Sequence, residues 1–122
     1  MMEKVFQKSF HVENVSRGDC LRACIESITG IKNLEHYTQI DKYVEPLWDN
    51  DLELTCTKKT DFPDSAYDYC IGCGPAARGV HHACVYDLKG NLVHDPYPNG
   101  NGLIQLDYYY YFEKVVIIKI DE

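Results

Sequence analysis

An apolar stripe with helical spacing marks the segment between Gly18 and Gly30. The stripe follows the i, i+3, i+4, i+7 spacing of a helix that is buried on one side: Leu21, Cys24, Ile25, Ile28 and Ile31. Asp19 is a favourable N-cap residue and Gly30 a favourable C-terminal stop. The pattern therefore predicts a helix whose first turn holds Cys20.

The rest of the chain predicts a second helix and a set of short strands. The second helix is expected at Leu34–Val44, with Asn33 as its cap and the Glu45-Pro46 pair as its end. Alternating or β-branched runs predict extended or strand segments at residues 3–12, Leu52–Thr57, Ala66–Ile71, Val80–Tyr86, Asn91–Pro96, Leu103–Leu106 and Tyr108–Ile120. Glycines and a proline predict a tight, exposed loop at Gly72–Gly79. The pattern indicates a single α+β domain over residues 1–122, with the Cys20 helix packed on a small antiparallel sheet.

The segment Val80–Pro96 predicts a hairpin that brings a histidine to an aspartate. With a four-residue turn at residues 87–90, His82 lies directly opposite Asp95. A two-residue turn makes the two residues diagonal neighbours on one face, whereas a three-residue loop brings His81 to that face instead. A carboxylate beside an imidazole fixes the tautomer of the ring and stabilises its charged form.

The position of Cys20 at a helix start gives that hairpin a chemical meaning. Unpaired N–H groups and the helix dipole favour a thiolate there, and the thiolate is the nucleophilic form of cysteine. The same N–H groups stabilise an oxyanion, and the amide of Asn14 is a further candidate donor. The predicted roles in covalent catalysis are therefore nucleophile for Cys20, base for His82 and orienting group for Asp95.

Composition and charge narrow the classes of function. The chain has 122 residues, a net charge of −7 and a pI of about 5.1, which disfavours nucleic acid as a partner. No apolar run approaches the roughly 18 residues that a membrane span needs. The first residues lack the apolar core of a secretory signal, and six cysteines without such a signal are expected as reduced thiols. A cytoplasmic location is expected.

The quoted residues resemble the papain-like cysteine peptidase superfamily, and in particular its small bacterial and phage members related to the bacteriocin-leader peptidases. The matching pieces are Gly18-Asp19-Cys20, Arg78-Gly79-Val80-His81-His82 and His94-Asp95-Pro96. The resemblance implies a papain-like fold, with Cys20 as nucleophile, His82 as base and later acid, and Asp95 as orienting group. It implies an acyl-enzyme and no cofactor, in a bacterial cell or a phage-infected host. Such enzymes usually carry a glutamine ahead of the cysteine, where this chain has Asn14.

The sequence also predicts substrate contacts and leaves two alternatives to a cysteine hydrolase. Arg78, Gly79 and His81 are expected to contact the substrate, a peptide or a small amide or ester. One alternative is a zinc site, made by Cys70 and Cys73 with His81 or His82, with or without Cys84 as a fourth ligand. The other is a catalytically silent relative that sequesters a small ligand or blocks a host protein.

Overall fold

The computed structural model describes residues 2–10 and 18–115, where helices pack on an antiparallel sheet. Helix α1 spans Cys20–Thr29, and a 3₁₀ turn at Ile40–Tyr43 leads into the short helix α2 at Val44–Trp48. The strands are β1 (Leu52–Thr57), β2 (Tyr69–Pro75), β3 (His81–Asp87), β4 (Leu92–His94) and β5 (Tyr108–Lys114). They lie in the order β1-β5-β2-β3-β4 with antiparallel pairing throughout. The predicted α+β class, a helix on an antiparallel sheet, is confirmed.

Helix α1 begins and ends where its sequence predicts. Gly30 adopts φ 77° and donates its N–H to the Glu26 carbonyl at 3.0 Å, a left-handed end that glycine tolerates. The helix packs on β2 and β3, and its buried apolar residues are Ala23, Cys24, Ile25 and Ile28. Asp19 holds the N-cap position, but the prediction that its side chain caps the helix is wrong. Its carboxylate is instead engaged by the N-terminal segment and by Arg22.

The N-terminal segment, residues 2–10, is fastened across α1 and the end of β4. The Val5 N–H donates to Ser27 Oγ at 2.9 Å, and the Lys8 and Ser9 N–H groups donate to Asp19 Oδ1 at 3.0 Å each. At the other side, the Gln7 N–H donates to the Pro96 carbonyl at 3.0 Å. These contacts place the segment beside the first turn of α1.

The sheet separates two apolar clusters. The cluster on the helix side contains α1 and α2 residues together with Ile71, Cys73, Ala83, Val85 and Phe112. The cluster on the opposite face contains Cys70, Cys84, Tyr86, Tyr109 and Tyr111. Successive side chains of a strand point to opposite faces, which explains the alternation of the tyrosines in β5. Residues 116–120 of the predicted C-terminal strand lie outside the described residues.

The predicted helix at Leu34–Val44 is wrong. Asn33 adopts φ 62°, a left-handed conformation that does not lead into a helix, and helical turns begin only at Ile40. Pro46, expected to end a helix, lies in the first turn of α2, where no intrahelical partner is lost for its missing N–H.

The predicted boundary between strand and loop after Ile71 is also wrong. Strand β2 continues to Pro75, and Cys73 is buried. A Cβ on Gly74 would lie 2.0 Å from the Gln105 carbonyl oxygen, so glycine permits close passage of the chain here rather than a turn. The segment that crosses is the predicted strand Leu103–Leu106, whose only strand pairing with other described residues is an isolated bridge from Leu103 to Ala76.

Within residues 2–10 and 18–115, no helix is both long enough and apolar enough to cross a lipid bilayer.

Candidate active site

Cys20 lies at the first position of α1 and lines a cavity of about 770 Å³. Its side chain is partly exposed, whereas Cys24, Cys73 and Cys84 are buried. Burial raises the pKa of these three thiols, which disfavours their nucleophilic form. Cys73 lines the cavity too, but Cys20 is the more exposed of the two thiols.

His82 and Asp95 meet at the other wall of the site. His82 is the second residue of β3 and Asp95 directly follows β4; His82 Nε2 lies 2.7 Å from Asp95 Oδ1. The two side chains are only 2% and 3% exposed. Cys20 and Cys84 both lie near enough to the same ring to raise the pKa of His82. Because Nε2 faces Asp95, Nδ1 is the ring nitrogen left for a thiol. The structure thus brings the three predicted catalytic residues together.

Backbone groups hold the Asp95 carboxylate in place. Oδ1 also accepts the Tyr97 N–H and Oδ2 accepts the Gly102 N–H, each at 2.9 Å. A Cβ on Gly100 would lie 2.2 Å from Asp95 Oδ2, so the loop that follows β4 needs glycine to wrap the carboxylate. Asp95 is oriented from three directions, as a group that fixes an imidazole must be.

The preferred hairpin register is wrong, although the predicted contact forms. Val85 pairs with His94 and Tyr86 with Leu92, with a bulge between Val85 and Tyr86. The pairing of Val85 with His94 is the one expected for a two-residue turn, the alternative in which His82 and Asp95 are diagonal neighbours. A bulge adds a residue to one strand and so shifts the pairing beyond it.

The His82–Asp95 pair is ionic over a wide pH range. Burial alone disfavours a charged ring, but the hydrogen bond to Asp95 and the contacts with Cys20 and Cys84 raise the pKa of His82 to about 11. Burial also disfavours the Asp95 carboxylate, yet the hydrogen bonds from His82, Tyr97 and Gly102 lower its pKa to about 2. The pair therefore stabilises the fold fully between about pH 3.8 and 6.5. That gain is lost as the pH falls through about 2 or rises through about 11.

Cys84 is a second thiol beside His82. Ligand atoms of His82, Cys84 and Asp95 all lie within 4.8 Å of one another, an arrangement that a metal ion can use. Asp95 Oδ1 accepts two hydrogen bonds, from His82 and Tyr97, and Oδ2 accepts one, from Gly102. The carboxylate is therefore held in the position that orients the imidazole.

The zinc set built on Cys70 and Cys73 is wrong. The two residues lie three positions apart on β2 and point to opposite faces of the sheet. Cys70 packs in the cluster with Tyr86, whereas Cys73 packs in the cluster beneath α1. Two thiols separated by the sheet cannot bind one ion together.

The three predicted substrate contacts lie along the cavity, though in different roles. Arg78 and Gly79 form part of the turn after β2, and the Arg78 guanidinium carbon lies 3.5 Å from the centroid of the Tyr97 ring. His81 is exposed and its Nε2 lies 2.9 Å from the Tyr108 hydroxyl, with the two rings stacked. His82, rather than the alternative His81, is the partner of Asp95.

Gln7 is a site residue that the sequence prediction missed. It lies in the N-terminal segment, is buried, and lines the same cavity as Cys20. Its Nε2 donates to the Ser9 carbonyl at 3.1 Å, and its Oε1 has no hydrogen-bond partner among the described residues. Asn14, the predicted oxyanion donor, lies outside the described residues. The one sequence signal for Gln7 was that papain-like enzymes usually carry a glutamine a few residues ahead of the cysteine. Gln7 lies 13 residues ahead of Cys20, too far to be recognised as that glutamine.

The cavity has a volume of about 770 Å³, the size of a small-molecule site. Its lining residues come from the N-terminal segment, the start of α1, the region before α2 and strands β2, β3 and β5. Cys20 and His82 both line it. Comparison with known proteins adds no relative: no family model, no curated protein and no solved structure matches this chain.

Proposed function

We propose that this chain is a thiol-dependent hydrolase or acyl transferase of papain-like architecture, with Cys20 as nucleophile, His82 as general base and acid, and Asp95 as orienting group. The observation that carries the proposal is the buried His82 ring, which is hydrogen-bonded to the Asp95 carboxylate at 2.7 Å and lines the same cavity as the Cys20 thiol. A cationic ring next to a thiol stabilises the thiolate, and a carboxylate behind the ring fixes the nitrogen that faces the thiol.

The reaction follows from these positions. The Cys20 thiolate adds to the carbonyl carbon of an amide, ester or thioester, and its electron pair forms the carbon–sulfur bond. The tetrahedral intermediate collapses as His82 donates its proton to the leaving amine, alkoxide or thiolate, which leaves an acyl-thioester on Cys20. Water or an amine then attacks this thioester while His82 accepts the proton, and the acid or new amide departs from the restored thiolate.

The oxyanion donors proposed are the Cys20 backbone N–H and the Gln7 side chain. Gln7 Nε2 carries two hydrogens, of which one is donated to the Ser9 carbonyl, so the second is available to a developing oxyanion. The N-terminal segment that carries Gln7 is fixed by Asp19, the residue next to Cys20. The nucleophile and this donor are thereby held by one carboxylate.

Formation of an acyl-thioester on Cys20 is the test of the proposed function. We expect p-nitrophenyl acetate to release nitrophenolate in a burst, which is followed by absorbance. The reaction should leave an acetyl group on Cys20 that hydroxylamine removes, and mass spectrometry detects the acetyl group and its removal. Cys20→Ala should abolish the burst, whereas Cys56→Ala, which removes an exposed cysteine on β1, should not change it. Acetylation spread over the exposed cysteines at the rate of ordinary thiols would instead favour the catalytically silent binding protein.

Gln7→Ala is expected to lower the rate of acylation by about 10²–10³-fold, the cost of removing one oxyanion-hole donor. Alkylation of Cys20 by iodoacetamide forms no oxyanion, so its rate should stay within about twofold of the wild-type rate. Stopped-flow acylation and alkylation kinetics measure the two effects in the same variant. Gln105→Ala, at an exposed glutamine outside the cavity lining, is the control. Equal losses in both reactions would show that Gln7 only supports the local structure.

A further inference from the structure

The charge of the cavity lining is opposite to the charge of the chain. The chain carries a net charge of −7, yet no aspartate or glutamate is among the described residues that line the cavity. Arg78 is the one lysine or arginine in that lining. His82, the nearby cation, is already paired with Asp95. Within residues 2–10 and 18–115, the cavity lining therefore presents one positive charge, that of Arg78, without an ion-pair partner.

Arg78 is oriented for a planar anion. Its guanidinium stacks on the Tyr97 ring at 3.5 Å, and among the described residues it forms no ion pair. Stacking uses the face of the guanidinium and leaves the N–H groups along its edge for hydrogen bonds. This fork matches the two oxygens of a carboxylate. A single positive charge balances a monoanionic carboxylate better than a phosphate dianion.

Aromatic side chains form much of the remaining wall. The described aromatic lining residues besides the histidines are Phe10, Tyr37, Tyr97, Tyr108 and Tyr110. The Tyr108 and Tyr110 rings are perpendicular, with centroids 5.4 Å apart, so they offer both an edge and a face to a flat apolar group. The cavity thus combines an aromatic surface with one carboxylate-binding cation.

We propose that the site selects small amides or esters that carry both an aromatic group and a carboxylate, with Arg78 binding the carboxylate and the tyrosine walls holding the ring. This inference rests on the proposed function for the reaction at Cys20, but the binding of the carboxylate is independent of turnover. N-benzoylglycine is the simplest probe of this class, and N-benzoylglycinamide is the same molecule without the charge.

The test measures binding by calorimetry in the Cys20→Ala background, where no acyl transfer takes place. We expect N-benzoylglycine to bind about 10-fold to 100-fold more tightly than N-benzoylglycinamide, the range for a hydrogen-bonded charge. Arg78→Gln should remove this preference, Arg78→Lys should retain part of it, and Lys89→Gln at the exposed β3–β4 turn should leave it unchanged.

Three results would overturn the inference: equal binding of the acid and the amide, a preference that persists in Arg78→Gln, or tighter binding of phenyl phosphate than of N-benzoylglycine. The two proposals fail separately. Absence of an acyl-thioester in the wild type, with Arg78-dependent binding intact, would overturn the proposed reaction and support the carboxylate site. An acyl-thioester on Cys20 without Arg78-dependent binding would do the reverse.

Discussion

Alanine in place of His82 is expected to lower the rate at which iodoacetamide alkylates Cys20 at pH 6 by about 100-fold or more. An ordinary thiol, with a pKa of about 8.5, is roughly 0.3% thiolate at that pH. A thiol that is fully ionised at pH 6 can therefore react up to about 300 times faster than an ordinary thiol. Because the hydrogen bond to Asp95 raises the pKa of His82 to about 11, the ring remains a cation at pH 6. In the proposed reaction this cation stabilises the nucleophilic thiolate. Acylation of Cys20 should fall further, since in the proposed reaction His82 also donates a proton to the leaving group.

The chain contains its own controls for this experiment. Peptide mass spectrometry follows each cysteine separately, and the exposed thiol of Cys56 should react alike in the wild type and in His82→Ala. His36→Ala removes an exposed histidine outside the cavity lining and should leave Cys20 unchanged. If wild-type Cys20 follows the same pH dependence as Cys56, the thiolate–imidazolium pair does not exist, and the proposed reaction fails.

The parts of the site that depend on local signals could be predicted from the sequence. A stop at Gly30 and an apolar stripe are sufficient for α1, because helix ends and faces depend on neighbouring residues. The approach of His82 to Asp95 was predicted despite a wrong register. Two residues can share a face in more than one register, and a shift of two positions turns direct opposition into a diagonal contact.

The parts that depend on distant packing could not be predicted. The Gln105 backbone passes close over Gly74 in β2, so glycine is needed there because it has no Cβ, not because the chain turns. Nothing in residues 72–79 indicates that neighbour. Gln7 reaches the cavity because Asp19 binds the Lys8 and Ser9 amides, so a carboxylate expected to cap a helix positions another segment instead. Arg22 and Glu26 lie on the face of α1 that a charged sequence would place in solvent. They are buried because the N-terminal segment covers that face.

Arg22→Met is expected to lower the free energy of unfolding by about 3–5 kcal/mol. Arg22 is only 4% exposed and lies between two buried carboxylates: Nη2 is 2.7 Å from Asp19 Oδ2, and Nη1 donates to Glu26. Burial disfavours the charged Asp19 carboxyl, but the Ser9 amide and the Arg22 guanidinium outweigh this and lower its pKa. Methionine fills a similar volume without the charge, so both carboxylates remain buried without their partner, the costly way to break such a network.

Urea denaturation followed by circular dichroism measures this loss. Lys42→Met makes a comparable change at an exposed position in the 3₁₀ turn and should stay within about 0.5 kcal/mol of the wild type. Arg22→Lys keeps the charge but not the fork that reaches both carboxylates, so its loss should be intermediate. A loss below about 1 kcal/mol in Arg22→Met would mean that apolar packing replaces the ion network.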